Sequence, residues 1–101
     1  MLRIQELYQN ELTQIIKIEG DIRPESTETW RNELDAIVLK SQQRTIILDL
    51  CGVAYIAQAA IDLLIEHLEH NIYLMNCPTF LKNILHSARL TQNILEDRSE
   101  D

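Results

Sequence analysis

Glycine, proline, cysteine and long apolar runs are scarce in this sequence, and each scarcity excludes a class of function. The 101 residues include two glycines, two prolines and two cysteines. With only Gly20 and Gly52, the chain cannot build a glycine-rich loop that cradles phosphates. No stretch approaches the roughly 20 consecutive apolar residues of a membrane span, and Gln5 and Glu6 interrupt any signal peptide. We therefore expect a cytoplasmic protein without direct membrane insertion.

Positive charge is also sparse. Nine lysine and arginine residues stand against sixteen aspartate and glutamate residues, which gives a formal net charge of -7 at pH 7. The basic residues are scattered singly along the chain, whereas a nucleic acid backbone requires a concentrated positive patch. Nucleic acid is therefore not an expected partner.

The candidate reactive residues do not form a catalytic or metal-binding pattern. Cys51 has no base placed beside it, and Cys51 and Cys77 are expected to be reduced, packed thiols. They end successive predicted strands and could lie close together, which leaves redox coupling open. His67 and His70 stand three residues apart on a predicted helix, but a zinc site needs three or four ligands. We expect no enzyme activity, no cofactor and no metal site.

Hydrophobic periodicity predicts alternating strands and helices after an initial hairpin. Strands are predicted at residues 2–8, 12–19, 45–50 and 71–75, with helices opening at Pro24, Ala57 and Pro78 and one more turn at residues 91–95. Such alternation favours parallel strands joined by helical crossovers. The predicted fold class is α/β: a single open, mostly parallel sheet of four to five strands, with an antiparallel N-terminal strand and three to four helices.

The length and the 46% apolar content are those of one domain with one core. We place this domain at residues 2–95. Residues 96–101 are charged and lack apolar side chains, so they are predicted to form an acidic, disordered tail. Trp30 lies on the apolar stripe of the first helix and is expected in the core.

The stretch from Thr45 to Leu68 is the part of the chain most suited to function. An apolar strand is followed by a short turn containing Gly52 and then by an amphipathic helix. In open α/β sheets, ligands and partners meet the protein at the carboxyl end of a parallel strand and at the following helix N-terminus. We therefore expect the functional site near Ala57 to Asp62.

Several segments of the chain resemble the STAS family, which is named for sulfate transporters and anti-sigma-factor antagonists. The resemblance rests on Ile-Glu-Gly-Asp-Ile at residues 18–22, on the apolar segment at residues 46–56 with the helix behind it, and on Asn76-Cys77-Pro78. It covers residues 2–90 in register. It implies a bacterial, non-catalytic protein-interaction module of the partner-switching type.

The family's phosphorylation motif is absent from this sequence. Phosphorylatable members carry Asp-Ser-Ser-Gly-Leu, or a close variant, where this chain has Ala57-Gln58-Ala59-Ala60-Ile61. Gln58 stands in place of the serine that a partner kinase phosphorylates, and it has no hydroxyl group to accept phosphate. The resemblance therefore implies an interface without a phosphorylation switch, and Gln58 is either a constant partner contact or a remnant of a lost switch.

The resemblance places a protein interface at Tyr55, Ala57, Gln58, Ala59 and Asp62. Tyr55 is equally compatible with partner contact and with loop packing. The implied partner is an anti-sigma factor of the kinase type. The alternative is a structural or regulatory role in a transporter assembly, with an ABC-type ATPase subunit as the partner. Small-molecule binding is the weakest hypothesis, and a homo-oligomer is left open.

Overall fold

Four β-strands form one sheet in the computed structural model, which describes residues 1–97. The strands are β1 (Arg3–Gln9), β2 (Thr13–Ile22), β3 (Thr45–Ile56) and β4 (Ile72–Met75), and they lie side by side in that order. β1 pairs antiparallel with β2, whereas β2, β3 and β4 pair in parallel. The open, mostly parallel sheet with an antiparallel first strand is confirmed.

Three α-helices connect and flank the parallel strands, as a parallel pairing requires a crossover connection. They are α1 (Thr27–Lys40), α2 (Gln58–His67) and α3 (Thr79–Ser87). Short 3-10 turns lie at Pro24–Ser26, Leu68–His70, Thr91–Asn93 and Leu95–Asp97. No helix within residues 1–97 is long and apolar enough to span a membrane.

The apolar core lies on one face of the sheet. Ile16, Leu48 and Leu74 stand opposite one another on β2, β3 and β4, and none of the three is more than 4% exposed. Residues directly opposite each other on neighbouring strands project from the same face. The helices complete this core with buried side chains such as Leu64 and Leu85.

The predicted turn at Gly52 is wrong, because β3 continues through it to Ile56. Gly52 pairs with Glu19 of β2, and a Cβ atom at Gly52 would lie 2.8 Å from Cγ of Glu19. The missing side chain makes room for Glu19 over the strand. β2 also runs past its predicted end to Ile22, because Gly20 adopts a φ of +95° where the register shifts. Pairing between the two strands, which local sequence does not display, therefore extends both of them.

The segment after α3 is part of the core. Ile94 is fully buried and pairs with Leu74 of β4 in an isolated bridge. The side-chain amide of Asn93 donates hydrogen bonds to the carbonyl oxygens of Ile72, at 2.8 Å, and Leu68, at 3.3 Å. The segment in which a single turn is predicted, residues 91–95, therefore packs against β4.

The tail predicted at residues 96–101 falls mainly on residues 98–101, which lie outside the described residues. It stays a prediction, as does the proposed domain boundary at residue 95. Within the described part of this stretch, the side chain of Glu96 accepts a hydrogen bond from the backbone N–H of Asn76.

Candidate functional site

The candidate site is the junction where β3 ends at Ile56 and α2 begins at Gln58. Ala57 joins the two elements in an extended conformation, with φ of -69° and ψ of 155°, which is the geometry of a helix N-cap. Its backbone N–H donates to the carbonyl oxygen of Ile22 at 2.8 Å, and its own carbonyl accepts from the N–H of Ile61 at 3.0 Å. The first bond attaches the helix start to the end of β2, and the second is the first hydrogen bond of the helix itself.

The five residues predicted for the interface divide into four exposed and one buried. Tyr55 is 45% exposed, and Gln58, Ala59 and Asp62 are exposed as well, whereas Ala57 is only 4% exposed. We call the four exposed residues the junction surface. Ala57 offers no accessible side chain, so its contribution is to hold the backbone that presents the junction surface.

The first turn of α2 has no capping side chain and no acidic residue. Ala57 cannot accept a hydrogen bond through its methyl group, and the first N–H groups of a helix have no intrahelical acceptor. The side chain of Gln58 instead donates from Nε2 to Oδ1 of Asp62 at 3.1 Å, one turn along the same helix. This bond orders two polar groups of the junction surface with respect to each other.

Arg23 adds a cationic group beside the junction surface that sequence reasoning missed. Its guanidinium lies 5.5 Å from the ring centroid of Tyr55, and Nη2 contacts Oδ2 of Asp21 at 3.1 Å. Asp21 is paired with Tyr55 across the β2–β3 ladder. The available signal was topological: β2 and β3 are parallel, so the residues that end β2 must lie beside those that end β3.

Trp30 of α1 contacts the start of α2. The indole is fully buried, as predicted, and its Nε1–H donates to the carbonyl oxygen of Ala60 at 3.0 Å. A buried indole N–H needs an acceptor, and this one is found on the helix that carries the junction surface. Helix α1 therefore positions α2 directly.

Asp49 organises a polar cluster farther down β3. Asp49 is 7% exposed. Its Oδ1 accepts hydrogen bonds from the side-chain amide of Asn76 at 2.9 Å and from the backbone N–H of Cys51 at 3.1 Å. Burial raises the pKa of Asp49, but the hydrogen bonds from Asn76 and Cys51, together with the charge of Lys17, outweigh it and hold the pKa below 3.8.

The prediction that Cys51 is a packed thiol is wrong, because Cys51 is exposed; Cys77 is buried, and both are free thiols. β3 continues past Leu50, which places Cys51 on the face opposite the core. A hydrogen bond to Asp49, with burial and the charge of Asp49 in support, raises the pKa of the Cys51 thiol. A raised pKa keeps the sulfur protonated near neutral pH, so Cys51 is a poor nucleophile.

We expect Asp49→Asn to make the free energy of unfolding less dependent on pH in the acidic range. Because the folded-state pKa is lowered, the contribution of Asp49 is present above the unfolded value of 3.8 and is lost as pH falls through the folded value. Wild-type stability should therefore fall more steeply than that of Asp49→Asn between about pH 5 and pH 2, in urea unfolding followed by circular dichroism. Glu11→Gln, on the exposed hairpin, is the control; identical slopes for wild type and Asp49→Asn would contradict the prediction.

His67 and His70 lie with their ring centroids 6.3 Å apart. Among residues 1–97, no group of three or more histidine, cysteine, aspartate or glutamate side chains is arranged to hold a metal ion. The ring nitrogens of His67 contact the Asp35 carboxylate and the Leu63 carbonyl instead.

Comparison with known proteins gives one family and several similar folds. The family model described as STAS domain matches residues 5–96. The structure of the anti-sigma factor antagonist SpoIIAA in its unphosphorylated form aligns with 83% of this chain and 82% of its own, at 13% identity and a TM-score of 0.65. The phosphorylated form of SpoIIAA, described as a Bacillus cell fate determinant, aligns over 91% and 88% at 13% identity, with a TM-score of 0.70.

An anti-sigma factor antagonist from Mycobacterium paratuberculosis aligns over 91% of this chain and 83% of its own, at 14% identity and a TM-score of 0.68. At such identities these similarities establish the common fold. No curated protein sequence matches the chain significantly.

Proposed function

The chain belongs to the STAS domain family, and from this we propose that it is a non-catalytic protein-interaction module that binds its partner through the junction surface. The proposal includes a cytoplasmic location and a role like that of the anti-sigma-factor antagonists that share its fold. The geometry that supports it is the exposure of Tyr55, Gln58, Ala59 and Asp62 around one rigidly held helix start.

The observation that carries the proposal is the position of Gln58. It is the first residue of α2 and is exposed, and its amide is bonded to Asp62. A phosphoryl group would need a hydroxyl at this place, and its added charge would then change the interface. Gln58 has no hydroxyl and no charge, so partner binding is unswitched at this position.

The junction surface also has the physical properties of a contact site. The ring of Tyr55 is half exposed, and the guanidinium of Arg23 lies 5.5 Å from its centroid. An amphipathic aromatic ring of this kind is a frequent binding anchor. The methyl group of Ala59 allows close approach of a partner to the helix.

Two partner classes fit this surface: an anti-sigma factor of the kinase type, and an ATPase subunit of a transporter assembly. The first follows from the fold shared with anti-sigma factor antagonists. The second is favoured by Gln58, because an interface without a phosphorylation site suits a permanent subunit. The two classes are distinguished by which purified protein binds.

Gln58→Arg is expected to abolish most of the binding. Calorimetry with the kinase-type anti-sigma factor and with the transporter ATPase subunit of the same organism should give one complex, weakened about 30-fold by Gln58→Arg, which corresponds to a hot-spot loss of about 2 kcal/mol. Asn32→Arg makes the same amide-to-arginine change at an exposed position of α1 and should leave binding unchanged.

Three results would overturn the proposal. Equal affinity of wild type and Gln58→Arg would place the interface elsewhere. Absence of binding to both proteins would exclude both partner classes. Transfer of phosphate from ATP to Tyr55 or any other residue of the junction by the kinase would contradict the unswitched interface.

A further inference from the structure

Strand β3 extends well past the end of its neighbour β4. The pairing of β3 with β4 runs only from Ile46 to Asp49, whereas the pairing of β3 with β2 continues to Ile56. Within residues 1–97, no other strand pairs with residues 50–56 on the side where β4 stops. We call this side of residues 50–56 the free edge.

The sheet is closed by side chains at the point where β4 ends. The backbone N–H of Cys51 donates to Oδ1 of Asp49 at 3.1 Å, and the same oxygen accepts from the side-chain amide of Asn76, the residue after β4. An edge strand otherwise presents backbone N–H and C=O groups that an added strand can bind. The part of the free edge that is open to such a strand therefore follows Cys51.

The free edge lacks the charges and prolines that commonly protect an edge strand from pairing. None of residues 50–61 is charged or is proline, although charged residues make up 25% of the chain. Cys51, Ala54 and Tyr55 are exposed. Two register shifts in the β2–β3 pairing bend this part of β3, so an added strand has to be short. An exposed, uncharged edge of this kind is a template for strand pairing.

We propose that the free edge binds an extended segment of the partner protein, which adds to the sheet as a strand beside β3 and in line with β4. This inference rests on the proposed function and specifies how the partner binds. Tyr55 belongs to the free edge and to the junction surface, so a single partner covers both. In such strand addition, backbone hydrogen bonds supply affinity and the alternating side chains supply specificity.

The composition of the free edge defines the chemistry of the segment that it takes. Gly52, Val53 and Ala54 are small and uncharged, so a charged side chain placed opposite them has no counter-charge within the free edge. A proline in the segment would lack the N–H group that the pairing requires. The segment is therefore extended, uncharged and free of proline, with the β-branched or aromatic residues that favour strands.

A second copy of this chain fits the free edge less well than a separate partner does. Residues 50–56 extend over about 23 Å, and an edge about 10 Å thick then offers only about 230 Å² per partner. A stable complex buries roughly 800 Å² per partner. Two copies would also bring together net charges of -7 each, which repel. In a separate partner, the contact with the junction surface supplies the remaining area.

Amide hydrogen exchange tests the strand addition without any variant. The full chain is measured alone and in complex with the kinase-type anti-sigma factor or the transporter ATPase subunit, whichever binds in calorimetry. At least one amide of residues 53–55 should exchange about 10-fold more slowly in the complex, because it gains a backbone hydrogen bond. The amides of β1, at the opposite edge of the sheet, should keep their rates. Equal rates at residues 53–55 in both states would overturn the proposal.

Ala54→Lys places a charge on the free edge and should weaken binding about 10-fold, the loss of one to two backbone hydrogen bonds. Leu7→Lys is the control, because Leu7 is 48% exposed on β1 at the opposite edge, and it should leave the affinity unchanged. Melting curves followed by circular dichroism verify that both variants are folded.

The outcomes separate this inference from the proposed function. Equal affinity of wild type and Ala54→Lys would overturn the strand addition, while a loss of binding in Gln58→Arg would still support the junction surface. Slow exchange at residues 53–55 that increases with the concentration of the chain alone would identify a second copy as the occupant and overturn the proposal. Absence of binding to both proteins would overturn the proposed function and the strand addition together.

Discussion

Replacing Trp30 with alanine is expected to lower the free energy of unfolding by about 3–5 kcal/mol, the range for truncating a large buried aromatic residue. The side chain is fully buried in the core, and its Nε1–H satisfies the carbonyl oxygen of Ala60. A loss of this size is a large part of the roughly 5–15 kcal/mol that stabilises a typical domain. Urea unfolding followed by circular dichroism measures it, because the variant has no tryptophan fluorescence.

Two further variants test how much of this destabilisation comes from the lost hydrogen bond and how much depends on burial. Trp30→Phe keeps most of the apolar volume and removes the hydrogen bond, so it should cost about 1–3 kcal/mol for the unsatisfied carbonyl. Leu39→Ala lies on the same helix at a residue that is 84% exposed, and it should change stability by less than about 0.5 kcal/mol. If Trp30→Ala were no more destabilising than Leu39→Ala, the placement of Trp30 between α1 and α2 would be wrong.

Ile94→Ala is expected to cost about 2–5 kcal/mol, although Ile94 lies beyond the last α-helix. The residue is fully buried and is paired with Leu74, next to the hydrogen bonds that Asn93 makes. Removing its side chain leaves a cavity that the fixed backbone of β4 cannot close. The measurement is again urea unfolding of the variant against wild type.

Leu12→Ala, at a hairpin residue that is 76% exposed, is the control for Ile94→Ala and should be nearly neutral. A neutral effect of Ile94→Ala would show that the segment after α3 does not pack on the sheet in solution. In that case the domain would end before residue 95, earlier than the predicted boundary.

The kinds of element and their order could be predicted from local pattern alone. The β-branched run of β2, the apolar run of β3 and the helical spacing of Trp30 and Leu34 are properties of short windows, and each is confirmed by burial in the structure. The alternation of these elements then favours a parallel sheet, because a helix between two strands returns the chain to the end of the sheet at which the first strand began.

The errors in β2 and β3 have a different origin. Gly20 and Gly52 look like chain terminators in a short window, but they lie within strands because each strand is completed by hydrogen bonds to the other. Gly52 leaves space for the Glu19 side chain, and Gly20 lies where the register of the β2–β3 pairing shifts. Neither reason is visible without the neighbouring strand.

The sequence by itself determined the chemistry available at position 58, in the junction between β3 and α2: Gln58 has no hydroxyl, so this residue cannot be phosphorylated whatever the fold. Only the tertiary structure decided how the junction is presented. It buried Ala57 under the end of β2, placed Arg23 over Tyr55, and set His67 against Asp35 across a gap of 32 residues. Side-chain chemistry is a property of one residue, whereas exposure, charge pairing and protonation depend on segments that meet only after the sheet and helices have packed.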